Sequence, residues 1–239
     1  MQLAVSHPWD LSVDQARVLQ LQLAKKVIAE TTFDPDDVAT VAGVDVGFQG
    51  NVARAAVVVL AFPSLRPIAY AIGQVPVGFP YIPGLLTFRE GPSVIAALEK
   101  LSIRPDLLVF DGHGLAHPRR IGLASHMGVI LDQPSIGCAK SRLIGEHDEP
   151  GDQVGDWAPL REGDEVIGAV VRTRARVKPV FVSIGHRIDL ETAIDFVLRC
   201  APRYRLPETT RYADRVAGGA QLDIEHTPVE RYQTDLSIR

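Results

Sequence analysis

Only two cysteines, Cys138 and Cys200, occur in 239 residues. That excludes a disulfide framework and a cysteine-built zinc site; each lies in an apolar stretch and is expected as a buried thiol. No apolar run approaches the roughly 18–20 residues that span a bilayer. The stretch Met1-Gln2-Leu3-Ala4-Val5-Ser6-His7 has neither the basic start nor the following apolar segment of a secretory signal, so the chain is expected in the cytoplasm. Positive charge is not in excess either: 25 Lys and Arg face 29 Asp and Glu, a net charge of -4. A histone-like surface is excluded, and contact with nucleic acid requires a local basic patch. Internal repeats and low-complexity tracts are also missing. What is present, 46% hydrophobic and 23% charged residues, excludes disorder, collagen-like repeats and coiled coils as the dominant state. The length suits one domain around one core.

Apolar spacing predicts a helix from Leu11 to about Glu30, with Ala16, Leu19, Leu23 and Val27 on one stripe and Ser12 and Gln15 as a capping box. Asp34-Pro35-Asp36-Asp37 breaks it. Three strands with short connections follow, Thr40 to Val46, Arg54 to Phe62 and Pro67 to about Val75, which predicts an antiparallel meander. A Pro/Gly-rich loop from Pro76 to Gly84 leads to a helix from about Ser93 to Leu101. Leu107-Leu108-Val109-Phe110 reads as a strand buried on both faces. A helix from about Arg119 to Leu131 and a strand from Ser135 to Cys138 come next. Right-handed crossover puts the strand that ends at Asp111 beside the first strand. Residues 145–163 read as a long surface loop, Val166 to Val171 and Pro179 to Ile184 as a hairpin of strands, and Asp189 to Cys200 as a helix capped by Asp189. A last helix runs from Leu206 to about Val216, and the tail from Gly218 to Arg239 is expected to be partly mobile.

Asp45 is anomalous, because a carboxylate inside Val44-Asp45-Val46 lies on or near a packed sheet, where burying charge is costly unless it is paired. The plainer reading is a solvent-facing residue on an alternating strand. Asp111 ends an apolar strand and opens Asp111-Gly112-His113-Gly114, where parallel sheets present functional groups in a crevice. Neighbouring strands would bring the two carboxylates together, and a divalent cation is the ordinary remedy for their repulsion. Glu90, between the Pro/Gly-rich loop and the next helix, can reach the same crevice or can simply serve the helix dipole. Oxygen donors without cysteine favour Mg²⁺ or Mn²⁺ over zinc. A zinc phosphoesterase built on Asp111-x-His113, His117 and His126 lacks the further His and Asp clusters such sites use. His126 and His186 read as structural. Basic candidates are Arg119-Arg120, Lys140 with Arg142, and Arg172-Arg174-Arg176-Lys178, whose spacing by two predicts a basic strand face or a merely solvated one. Tyr81, between Pro80 and Pro83, is a stiffly held aromatic that either packs or wedges into a base stack.

These segments resemble, in order, the motifs of the bacterial endonuclease V family of deoxyinosine-specific DNA repair nucleases. The resemblance rests on Val44-Asp45-Val46-Gly47-Phe48, Pro80-Tyr81-Ile82-Pro83-Gly84 running into Phe88-Arg89-Glu90, and Asp111-Gly112-His113-Gly114 with His117-Pro118-Arg119. Gly137-Cys138-Ala139-Lys140, Gly185-His186-Arg187 and Tyr204-Arg205-Leu206-Pro207-Glu208-Thr209-Thr210-Arg211 extend it. It spans about residues 12–217; the acidic loop near 148–165 and the tail after Gly218 match poorly. The resemblance implies an α/β, ribonuclease-H-like fold with a mixed five-stranded central sheet flanked by helices and additional C-terminal strands and helices. It implies one nuclease domain over residues 1–217, acting as a monomer on DNA containing deoxyinosine, or on inosine-containing RNA, with Mg²⁺ as cofactor and Mn²⁺ able to substitute. Cleavage falls at the second phosphodiester bond 3′ to the deaminated base. By the same resemblance, Asp45, Glu90 and Asp111 are metal-binding catalytic acids, Asp214 is a further metal ligand, and Lys140 lies near the cleaved phosphate. Tyr81 is the wedge, and Gly84, Gly112 and His117 belong to the pocket for the flipped base. A binding module without catalysis would have lost one of the acids, and all three are present.

Overall fold

The computed structural model describes residues 3–224. Helix α1, Val13–Ala24, is followed by strands β1, Thr40–Gln49, β2, Val52–Ala61, and β3, Arg66–Pro76. Then come α2, Leu86–Leu98, β4, Leu107–Phe110, α3, Leu123–Leu131, and β5, Ser135–Ala139. The C-terminal part contributes β6, Trp157–Glu162, β7, Glu165–Val171, β8, Val180–His186, α4, Leu190–Arg199, and α5, Glu208–Ala217. The mixed α/β fold expected from the sequence is present, but the sheet is larger than five strands. The five expected central strands, β1 to β5, lie together, and the additional C-terminal strands extend them into one eight-stranded sheet in the order β3-β2-β1-β4-β5-β8-β7-β6.

The meander forms as expected, with β1–β2 and β2–β3 antiparallel. β4 lies parallel to β1 and β5 parallel to β4. The β1–β4 register is pegged at its start by Asp106, whose Oδ2 accepts from Thr40 N at 2.8 Å and Thr40 Oγ1 at 2.7 Å. Period-two alternation divides the core. Ala42, Val44, Leu108 and Phe110 meet Val94, Ala97 and Met127 of α2 and α3 on one face. Val41, Leu107 and Val109 share the other face with Phe196 and Val197 of α4 and Ala213 and Val216 of α5. Cys138 and Cys200 are both buried free thiols.

Four boundaries differ from the sequence expectation for identifiable reasons. Ser12 and Gln15 do form the capping box, but α1 stops at Ala24. The chain is then drawn away: Ile28 N donates to His186 Nδ1 at 3.2 Å, and Arg187 N donates to Ile28 O at 2.7 Å. α2 begins at Leu86, so Glu90 is inside the helix rather than before it; packing of Phe88 and Val94 overrides the break that Pro92 would otherwise impose. The expected loop 145–163 contains β6, whose inward Ala158 and Leu160 are separated by Pro159, a residue that argues against a strand. The expected basic strand face does not form. β7 ends at Val171, and Arg172 is 5% exposed, bonded to Gly151 O, Val177 O and Glu149 Oε1.

α5 crosses β1 unusually closely. A Cβ on Gly43 would stand 1.9 Å from the Thr209 carbonyl oxygen, whereas one on Gly47 would meet Ala217 O at 3.6 Å, an ordinary contact. Most of the tail expected to be mobile, from residue 225 onward, lies outside the described residues; Leu222, within them, packs against the core. The prediction is that Gly43→Ala lowers stability by at least about 1–3 kcal/mol, as overpacking does. Gly47→Ala stays near wild type, both read by urea unfolding. Equal effects would contradict the close crossing.

Candidate functional site

The parallel pairing of β1 with β4 ends at Val44↔Phe110, and Asp111 N donates to Val44 O at 3.1 Å as the last rung. Asp45 and Asp111 are the next residues on each strand. By alternation Asp45 shares its face with Gly43 and Gly47, the face covered by α5. Gly43 admits that helix, which brings its Asp214 within electrostatic reach of Asp45. Glu90, 8% exposed in α2, feels both strand carboxylates. Lys140, at the end of β5, forms an ion pair with Asp111 Oδ2 through its Nζ. The structure therefore assembles Asp45, Glu90, Asp111, Asp214 and Lys140 from five separate elements.

Crowding and burial shift these groups. Asp45 is pushed up to about 6, first by burial and then by Asp111 and Asp214, with Lys140 opposing. Glu90 is pushed up to about 8 by burial, then by Asp45 and Asp111, with Arg89 opposing. Burial works against the charge of Lys140, but its bond to Asp111 and the nearby carboxylates hold its pKa above the ordinary lysine value. As they lie, no three His, Cys, Asp or Glu side chains among the described residues enclose an ion. The fit to a divalent cation is instead one of chemistry and charge. The donors are hard oxygens, and their mutual repulsion is partly offset by one ammonium group.

Beside the acids lies a cavity of about 260 Å³ lined by Tyr81, Gly84, Thr87, Gly112, His113 and His117, among others. Gly84, Gly112 and His117, the three residues expected at the base pocket, line it, and so does Tyr81, expected as the wedge. Tyr81 is 70% exposed, which removes its packing alternative. Gly84 has φ +79°, the left-handed conformation that turns the loop into α2, and its carbonyl points at three donors. These are His117 Nε2 at 2.9 Å, Arg119 Nη2 at 2.7 Å and Gln20 Nε2 at 3.0 Å. His117 Nδ1 accepts from Arg119 N at 3.2 Å, so both ring nitrogens are engaged by backbone, and burial brings its pKa down to about 4. His117 is thus a neutral brace of the pocket wall. His113 Nε2 donates to Ser141 O at 3.0 Å, linking the loop after Asp111 to the one after Lys140. His126 is fully buried, its Nε2 2.9 Å from His7 Nε2, and His186 bonds Ile28 N and Asp132 Oδ1.

A family model described as Endonuclease V matches residues 21–215. The chain belongs to the endonuclease V family. Among relatives, the endonuclease V of Roseiflexus castenholzii is 55% identical over 222 residues, covering 93% of this chain and 99% of its own length. Among solved structures, endonuclease V from Streptomyces avermitilis superposes with a TM-score of 0.85 at 44% identity, covering 91% of this chain and 96% of its own. Endonuclease V of Ciona intestinalis, in complex with a 24mer DNA containing an inosine followed by a ribo-adenosine, superposes at 0.75 with 30% identity, covering 86% of this chain and 95% of its own. Likeness to endonuclease V structures identifies the fold as ribonuclease-H-like. No helix among the described residues is long and apolar enough to cross a membrane.

Two site residues were missed by sequence reasoning. Gln20, 1% exposed on α1, bonds Gly84 O, Ile121 O and Arg119 Nε, joining two walls of the cavity. Its signal is an amide among the apolar positions of an amphipathic helix, and it lies one residue before the segment the family model matches. Arg205 donates to Lys140 O at 2.7 Å, Lys178 O at 2.8 Å and Pro179 O at 2.9 Å, fixing the backbone under Lys140; no spacing in the sequence marks it.

The raised Glu90 carries a sign. The folded chain keeps a proton that the unfolded chain has released, so stability is greatest below the ordinary glutamate range and falls as pH rises through about 8. Buried neutral histidines act in the opposite direction, but only below about 6.5. Between about pH 7 and 9 in EDTA, the urea midpoint of wild type should therefore fall relative to Glu90→Gln. A constant difference across that window would contradict the raised Glu90.

Proposed function

We propose that this chain is a DNA repair endonuclease that acts as a monomer, recognises deaminated bases, chiefly deoxyinosine, and hydrolyses the second phosphodiester bond 3′ to the lesion. The ends left are a 3′-hydroxyl and a 5′-phosphate. The observation that carries the reading is the meeting of four carboxylates and Lys140 beside a base-sized cavity with Tyr81 exposed at its wall. Family membership and the inosine-containing DNA held by the Ciona relative support it.

In this reading Asp45, Glu90 and Asp111, with Asp214, hold Mg²⁺, for which Mn²⁺ substitutes. When bound there, the cation would lower the pKa of a water for attack on phosphorus and would offset charge on the leaving 3′ oxygen. Lys140 brings its ammonium from Asp111 to the phosphate, and Arg205 keeps the Lys140 backbone in place. Tyr81 takes the position vacated in the stack, while the walls braced by Gln20, His117 and Arg119 receive the extruded base. Hypoxanthine pairs imperfectly, so its extrusion costs less than that of a normal base. Lesion choice belongs to the cavity and cutting to the carboxylates.

The Ciona complexes, whose inosine precedes a ribo-adenosine, favour a second reading in which RNA is also cut. Matched ribo- and deoxyinosine strands separate the two. The expected result on a duplex with one deoxyinosine is a single nick with Mg²⁺ and none with EDTA. Asp45→Asn or Asp111→Asn should lower the rate by several orders of magnitude while inosine binding persists, because removing an acid also removes repulsion with phosphate. Tyr81→Ala should reduce discrimination between deoxyinosine and undamaged duplexes. Equal cutting of undamaged DNA, or retained cutting by both Asp variants, would overturn the proposal.

A further inference from the structure

The outer face of α5 carries a second concentration of charge, apart from the carboxylates. Arg203, Tyr204, Glu208, Arg211, Tyr212 and Arg215 line a hollow of about 210 Å³. On α5 the spacing 208, 211, 212, 215 is one helical stripe, opposite the Ala213, Val216 and Ala217 that pack on the sheet. Glu208 is 7% exposed and acts as the anchor: its two oxygens stand 3.7 Å from Arg203 Nε and 3.5 Å from Arg211 Nε. The Arg211 guanidinium is also stacked over Tyr204, 3.5 Å from the ring centroid, and Arg215 lies 5.8 Å from that of Tyr212.

This arrangement is pre-set for an anion. Three guanidinium groups face one carboxylate, leaving an excess of two positive charges in the hollow. The Arg211 Nε is buried against Glu208 Oε2 at 3.5 Å, with no hydrogen bond among the described residues, so the carboxylate and the Tyr204 ring hold the guanidinium in place. The Tyr204 face is covered by a guanidinium, which argues against base stacking and for a tetrahedral ligand taking N–H and O–H donors. The hollow also adjoins the cleavage centre. Arg211 precedes Asp214 by about one helical turn, and Arg205, two residues after Arg203, holds the Lys140 carbonyl. The exposed stretch beside it adds Arg174, which donates from Nη1 to Arg203 O.

We propose that the hollow formed by Arg203, Arg211 and Arg215 around Glu208 is a phosphodiester-binding site, separate from the scissile phosphate, that grips the backbone of the nucleic acid being cut. This rests on the nuclease reading above. The site reads no base, so it strengthens binding to damaged and undamaged DNA alike and sets how long the chain stays on the duplex.

The test is fluorescence anisotropy of labelled duplexes, with and without one deoxyinosine, in EDTA across a salt series. Wild type is compared with Arg203→Ala, Arg215→Ala and the double variant. Arg203 is 76% exposed, so its replacement does not threaten the fold. The expected result is that the slope of log K against log salt becomes shallower by about 0.9 for each phosphate that is no longer neutralised, equally for both duplexes. An unchanged slope in the double variant overturns the proposal. So does a fall in inorganic phosphate binding with the DNA slope intact, which would make the hollow a small-anion site. If wild type nicks the deoxyinosine duplex and the slope is unchanged, the hollow alone is wrong; if wild type nicks nothing, the nuclease reading is.

Discussion

The parallel pairing of β1 with β4 is the constraint on which the site depends. Its register, fixed at one end by Asp106 on Thr40 and closed at the other by Asp111 N on Val44 O, leaves Asp45 and Asp111 as adjacent residues where the pairing stops. Neither carboxylate can withdraw into solvent without undoing strands whose apolar residues fill both cores. The repulsion is imposed by the fold, and the remaining groups are arranged around it. Gly43 lets α5 approach with Asp214, the early start of α2 brings Glu90 in buried, and the end of β5 delivers a cation, Lys140, to Asp111.

That arrangement concentrates charge in a chain whose overall balance is only -4. The net count says little about nucleic acid, because the acids converge at one crevice while arginines gather at another face. The cavity beside the crevice is held open by polar bonds. Gly84 O, with three donors, fixes the wall of the loop carrying Tyr81, and Arg89 Nη1 ties Phe79 O to the same helix as Glu90. Recognition and cleavage groups thus share supports: Glu90 and Arg89 are neighbours on α2, and Gly112 and Asp111 are neighbours after β4.

Much of this was legible in the sequence where a pattern is local. The apolar run 107–110, the meander and the Ser12–Gln15 capping box follow from period and capping chemistry, and the strand order around Asp111 follows from right-handed crossover. The acids and the cavity residues were found through their motifs, and the fold brings them together. What the sequence hid was set by tertiary packing. Pro92 masked the start of α2, Pro159 masked β6, and arginines at alternate positions mimicked a strand where Arg172 is a buried staple for a turn. Gln20 and Arg205 act on backbone carbonyls from distant elements, contacts for which no spacing rule exists.

These carboxylates are held in a repulsion that a bound divalent cation would relieve. Urea unfolding of wild type and Asp45→Asn at about pH 8 (where Asp45 is ionised), with and without Mg²⁺, tests it most directly, because a ligand of the folded state raises stability with the logarithm of its concentration. The expected result is a Mg²⁺-dependent rise in the wild-type midpoint that is largely absent in Asp45→Asn. No rise in wild type, or the same rise in both, would contradict it.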